Sequence, residues 1–190
     1  NFIGNEAYTD RRLRSEVVTK QSRWWRFFSS NDNYDPGRLE FDRELLREFY
    51  QNKGYYDFRV ISAVADLTPD REDFYITYTI EEGEPYTFGE VEVETALDKL
   101  SSEGLKRAVP FQDGDQFRGD AIEDTIDTLT YAAGIAGYAF VDITPRLEAD
   151  PETRKVNVTF AIDEGPRVYI ERININGNPQ TLDRVIRREL

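Results

Sequence analysis

The chain contains no cysteine, no histidine and no methionine. Without cysteine there is no disulfide framework, no thiolate zinc site and no thiol nucleophile. Without histidine the commonest general base and metal ligand is gone as well, so most enzyme mechanisms lose their usual residues. The lack of thiols fits an oxidising compartment and is also compatible with cytosol. No apolar run approaches the roughly 18 residues that a membrane-crossing helix needs. Bases are in the minority, 24 Lys and Arg against 37 Asp and Glu, and the net charge of −13 has the wrong sign for gripping a phosphate backbone. With no methionine at position 1 and no charged-then-apolar leader, the chain reads as a processed or excised piece of something longer. What is present suffices for folded cores: 39% of the 190 residues are hydrophobic, among them 12 Phe, 11 Tyr and 2 Trp. The length allows one domain or two of about 90 residues each.

Self-similarity decides for two. The stretch Phe74-Tyr-Ile-Thr-Tyr-Thr-Ile-Glu-Glu-Gly83 returns 82 residues later as Val156-Asn-Val-Thr-Phe-Ala-Ile-Asp-Glu-Gly165, and a proline follows each within two residues, Pro85 or Pro166. In both copies apolar residues alternate strictly, the period of a strand with one buried face. Downstream, Phe88-Gly-Glu-Val91-Glu-Val93 matches Ile170-Glu-Arg-Ile173-Asn-Ile175 at the same offset, which predicts a new opening strand after each Glu-Gly. Upstream, Lys53-Gly54-Tyr55 matches Ala136-Gly137-Tyr138, and strands over 58–67 and 141–149 follow. Asn1-Phe-Ile-Gly-Asn5 resembles Asn174-Ile-Asn-Gly-Asn178. The chain therefore divides into units 1–82 and 83–165, followed by the strand and first helix of a further unit over 166–190.

Each unit carries two helical patterns between its first and second strands. In the first unit Thr9 or Asp10 caps a helix bearing Leu13, Val17 and Val18, and Asp35-Pro36 opens a second bearing Leu39, Leu46, Phe49 and Tyr50. Gly54 ends that helix in a left-handed conformation. In the second unit Leu100, Leu105 and Val109 mark the first helix, and Ile122, Ile126, Leu129 and Ala133 mark the second, which Gly137 ends. The predicted order is strand, helix, helix, strand, strand.

That order, with Gly-Asn after the first strand, Gly-Tyr closing the second helix and Glu-Gly closing the third strand, resembles the POTRA (polypeptide-transport-associated) family along the whole chain. Arg23-Trp-Trp-Arg-Phe-Phe28 and the sequence from Tyr86 onward are similar to the second and third POTRA modules, and the beginning of the fourth, of alphaproteobacterial outer-membrane β-barrel assembly factors. The second unit departs from the pattern by carrying Glu94-Thr-Ala-Leu97 where Gly-Asn is expected. The resemblance implies an α+β fold of tandem modules, each a three-stranded mixed sheet on two antiparallel helices, with the third strand central and the second at an edge. It further implies periplasmic modules of an outer-membrane protein, with no cofactor. As partners it implies unfolded outer-membrane proteins, accessory lipoproteins and a C-terminal membrane barrel of the same chain.

An extended client can add itself to an exposed sheet edge through main-chain hydrogen bonds, with little demand on its sequence. The second strands are thus the candidate sites: Arg59, Val60, Ile61, Ser62, Ala63 and Val64 in the first unit, and Asp142, Ile143, Thr144, Arg146 and Leu147 in the second. Pro145 supports the edge assignment and interrupts its strand as a docking surface, so the proline-free first edge is predicted to be the more regular.

Trp24 and Trp25 head the densest aromatic cluster, in the loop between the helices of the first unit. They either fold over a thin core or form an exposed patch that binds a neighbour, client or membrane surface. Charge is uneven, −4 over 1–82, −11 over 83–165 and +2 over the rest, which reads as a solvated acidic face or a dock for a basic partner. The acid pairs Glu81-Glu82 and Asp163-Glu164 occupy one repeat position before a turn glycine, which points to structure rather than catalysis. A carboxylate-based glycosidase would need two acids facing one deep cleft. Within the resemblance, another POTRA-bearing outer-membrane transporter is the alternative. The short connections Gly83-Glu-Pro-Tyr86 and Gly165-Pro166 predict modules joined without a flexible linker.

Overall fold

The structure is a computed structural model that describes residues 1–19, 36–67 and 74–165. Trp24, Trp25 and the unit expected over 166–190 lie outside the described residues. The first module runs β1 (Phe2–Ile3), α1 (Asp10–Glu16), α2 (Pro36–Gln51), β2 (Arg59–Leu67) and β3 (Phe74–Glu81). The second runs β4 (Thr87–Thr95), α3 (Ser102–Lys106), α4 (Gly119–Ile135), β5 (Val141–Asp150) and β6 (Lys155–Glu164). The sheets are ordered β1-β3-β2 and β4-β6-β5; in each the first strand is parallel and the second antiparallel to the central one. The α+β fold, the central third strand and the edge position of the second strand are as the resemblance implies.

Each sheet buries its alternating apolar residues under its helices. Tyr78 and Ile80 of β3 join Leu13, Leu39, Leu46 and Tyr50 in one core, and Val156, Val158, Phe160 and Ile162 of β6 join Phe88, Ile122 and Leu129 in the other. Both long helices end alike. Gly54 and Gly137 have φ of +98° and +93°. The amide of Gly54 donates to the Gln51 carbonyl and that of Tyr55 to the Tyr50 carbonyl, while Gly137 and Tyr138 repeat the pattern onto Gly134 and Ala133. This paired closure satisfies the last carbonyls and requires a residue without a Cβ at the left-handed position.

Two helices are shorter than predicted. Thr9 caps α1, its hydroxyl accepting from the Arg12 amide, but the helix stops at Glu16. Val18 lies past its end and is exposed, its amide donating to the buried Asp42 carboxylate at 2.7 Å. In the second module α3 spans five residues, and Leu100 and Val109 pack on the core from the flanking turns. Pro110 disfavours helical backbone at Val109, which limits the helix on that side. Glu94 and Thr95, where Gly-Asn is missing, continue β4 beside Ala161 and Ile162. A register shift between Phe88 and Val91 is filled by the Asn157 side chain, which accepts from the Glu90 amide at 2.8 Å.

Residues 82–86 carry the chain from β3 to β4, and the two modules are in direct contact at this connection. Tyr86 donates its amide to the Gly54 carbonyl at 2.8 Å and its hydroxyl to Asp57 Oδ2 at 2.6 Å. Gln116 Nε2 donates to the Lys53 carbonyl at 2.7 Å, and the Asp120 amide to Asn52 Oδ1 at 2.8 Å. Between them the Tyr56 ring stands edge-on to Phe117, with centroids 5.3 Å apart.

Candidate functional site

Main-chain direction determines what an edge strand can offer. In β3 the Tyr78 amide donates to the Asn1 carbonyl at 3.0 Å, and the Asn1 amino group donates to the Ile76 carbonyl at 2.8 Å. The backbone groups of Ile76 and Tyr78 therefore face β1, and those of Thr77 between them face β2. Ala65 and Ala63 lie opposite Ile76 and Tyr78. They form the non-hydrogen-bonded pairs of this ladder, so their own N–H and C=O groups point away from the sheet at its free edge.

The same argument places the second edge. Pro145 lies opposite Phe160, which is 82 residues after Tyr78 in the repeat, within a ladder unbroken from Val141 to Asp150. A proline fits such a ladder only where its nitrogen faces outward. Ile143 and Leu147 thus offer complete N–H and C=O pairs at the edge, and Pro145 a carbonyl alone. Asp142, Thr144 and Arg146 alternate with these residues; their backbone faces β6 and their side chains are exposed.

One expectation is overturned here. The first edge is not the more regular of the two, because the ladder shifts between Val60 and Ser62, leaving Ile61 unpaired. The adjacent apolar residues Val60 and Ile61 already break the alternation, and the bulge lets Val60, Ala63 and Ala65 turn inward on either side of it. Ile61 and Val64 are left outside, 55% and 47% exposed. Arg59, at the start of the strand, pairs with Glu81 at 2.9 Å. The first edge is thus flanked by aliphatic side chains. The second is flanked by charge, including Arg146, which reaches Glu94 at 3.4 Å.

The opposite edges offer less. The strand β1 is two residues long. The outer side of β4 is occupied at its start, where the Phe88 amide donates to the Asp115 carbonyl and its carbonyl accepts from the Gly114 amide.

The acids serve structure. Glu82 is buried and accepts from the amides of Glu6 and Ala7 and from the Tyr50 hydroxyl at 2.6 Å, tying the turn after β1 to α2. Asp42, a buried carboxylate that no pattern in the sequence singles out, accepts from the Val18 amide and from the Tyr78 hydroxyl at 2.8 Å. Burial raises the Tyr50 and Tyr78 phenols well above the ordinary range, with the carboxylate bonds adding to it. The junction groove beside Arg59 holds Asp57 bonded to Tyr86 and Glu84 paired with Arg154 at 3.1 Å, so its acids are engaged. Among the described residues no group of three or more Asp or Glu is placed to hold a metal ion.

A family model described as "POTRA: Surface antigen variable number repeat" matches residues 1–83 and again 86–165. The chain is 31% identical to the "Outer membrane protein assembly factor BamA" of Neorickettsia risticii and 28% identical to that of Neisseria meningitidis serogroup B. Both alignments cover all of this chain and about a quarter of the relative, 25% and 24%. Among solved structures, the POTRA3-5 region of Haemophilus influenzae BamA superposes with a TM-score of 0.73 at 21% identity, covering 100% of this chain and 74% of that one. That likeness is one of fold.

Proposed function

The chain belongs to the POTRA family, and from that membership we propose that its two modules act as a scaffold, not an enzyme, in an outer-membrane protein assembly factor, holding unfolded clients on their free sheet edges. The observation that carries this reading is the pair of edge strands β2 and β5, whose outward main-chain groups at Ala63, Ala65, Ile143 and Leu147 are a template for an added strand. Main-chain recognition suits clients that share strand-forming character and no common sequence. The aliphatic flank of the first edge favours apolar strand residues, and the charged flank of the second tolerates polar ones. On this reading the modules stand in the periplasm ahead of a membrane barrel, residues 166–190 open a further module, and accessory lipoproteins dock on the modules.

Binding is expected to be weak and broad, since each hydrogen bond contributes about 0.5–1.5 kcal/mol net and ordering the client opposes it. A nuclear magnetic resonance titration with peptides from barrel-protein strands tests the proposal. Shifts should concentrate on the amides of Ala63, Ala65, Ile143 and Leu147. Shifts confined to α2 and α4 would reject edge pairing.

A further inference from the structure

The two edges carry their apolar side chains on opposite faces of their sheets. Ala63 and Pro145 lie opposite the equivalent residues Tyr78 and Phe160, so Ala65 corresponds to Leu147 and Val64 to Arg146. On the helix face the partly buried Ile143 and Leu147 flank the second edge, whereas the outward groups of the first have beside them only the methyls of Ala63 and Ala65. On the outer face the relation is reversed. The first edge presents the exposed Ile61 and Val64, with the exposed Tyr75 one strand further in. The second presents Thr144 and Arg146, and Arg146 reaches Glu94 across the sheet at 3.4 Å. Ile3 lies beside Thr79 as Glu94 lies beside Ala161, its repeat equivalent, and Ile3 is exposed as well. Both members of the outer ion pair are thus aliphatic in the first module, and the leucine of the helix face is an alanine there. Position for position, apolar bulk lies on one face of the first edge and on the other face of the second.

A strand destined for a transmembrane barrel has one apolar and one polar face, because its side chains alternate between lipid and lumen. We propose that such a strand pairs with both edges antiparallel, the more stable arrangement, but in opposite facings: its apolar side chains lie on the outer face at β2, beside Ile61 and Val64, and on the helix face at β5, beside Ile143 and Leu147. This deepens the edge-pairing reading and rests on it. The facing determines which client residues form the hydrogen bonds. In an antiparallel pair, residues directly opposite share a face, and the backbone groups of every second residue point to the partner. Client residues opposite Ile143 and Leu147 therefore bond to them through the main chain and are the apolar ones. Client residues opposite Ala63 and Ala65 also bond through the main chain, but there they are the polar ones. The apolar residues alternate with them beside Val64, their main-chain groups turned away from the module. One strand thus bonds through its apolar residues at the second edge and through its polar residues at the first, and a shift of register by one residue would put every side chain on the wrong face.

A short peptide of strictly alternating valine and threonine, titrated into the whole chain with nuclear magnetic resonance detection of its amides, tests the proposal in three forms: unaltered, backbone N-methylated at every valine, and N-methylated at every threonine. The unaltered peptide should shift the amides of both edges. Methylation at valine should weaken binding at Ile143 and Leu147 by about 10-fold or more and leave binding at Ala63 and Ala65 within about 2-fold, and methylation at threonine should do the reverse. Val64→Arg, which puts the second module's residue at an exposed position of the first edge, should weaken binding there by about 2- to 5-fold and leave β5 unchanged. Loss at both edges from the same methylated peptide would overturn the proposal. So would an interchange of the two methylation patterns, or unchanged affinity at the first edge in folded Val64→Arg. Shifts at neither edge with the unaltered peptide would instead reject edge pairing itself, and the facing with it.

Discussion

At the scale of single residues the first module depends on two buried carboxylates, each bonded to a phenol. Asp42 accepts from Tyr78 and Glu82 from Tyr50, and each also holds main-chain amides of a neighbouring turn. Removing either leaves buried donors without a partner. Asp42→Ala is therefore expected to lower stability by about 1–3 kcal/mol in urea unfolding. Asp42→Thr combined with Tyr78→Phe, the pair that the second module uses as Thr125 and Phe160, should lose less than Asp42→Thr alone, a coupling that a double-mutant cycle reads directly. The phenols also set an alkaline limit. The bond to Asp57, aided by burial, pushes Tyr86 from an ordinary value near 10 up to about 12, and Tyr50 and Tyr78 are raised as well. Because the folded state favours the neutral phenol, this stabilisation is full below about pH 10 and is lost as pH rises toward and past 12. An absorbance titration should find these tyrosines ionising late, together with unfolding. Tyr86→Phe should remove its share of the late phase.

At the scale of elements the turns that close the helices are the most sequence-determined features. Gly54→Val and Gly137→Val each force a β-branched residue to positive φ and should cost about 1 kcal/mol or more. Gly54→Val should cost the more, because its Cβ would also meet Gln116 across the junction, whereas at Gly137 only the end of Lys99 is near. Paired urea melts of the two variants check the ranking. These glycines and the strict alternation in β3 and β6 were legible in the sequence because each is a local requirement repeated in register. The bulge at Ile61 left only a faint trace, two apolar neighbours where alternation expects one. The outward direction of Ala63 and Ala65 left none, since it follows from the pairing of β3 with a strand more than seventy residues away. Asp42 was illegible for the same reason: its partners Val18 and Tyr78 are brought to it by tertiary packing alone.

At the scale of the whole molecule two modules share a junction built from side chains of both. Tyr56→Ala should remove its ring contacts with Phe117 and Tyr86 at the edge of the second core. Hydrogen exchange should then accelerate at the amides of Tyr86 and Asp120, whose acceptors belong to the first module, more than within β3 or β6. The two edges differ at one equivalent position, where Ala63 can donate a hydrogen bond outward and Pro145 cannot. That difference provides the most direct test of client holding by edge pairing. Titrating a barrel-strand peptide into the unaltered protein, Ala63→Pro and Pro145→Ala adds or removes one main-chain donor at a backbone geometry that the chain already tolerates as proline. Each exchange should shift affinity at its own edge by about 2- to 10-fold, weaker for Ala63→Pro and tighter for Pro145→Ala. Unchanged affinity in both folded variants would contradict the account.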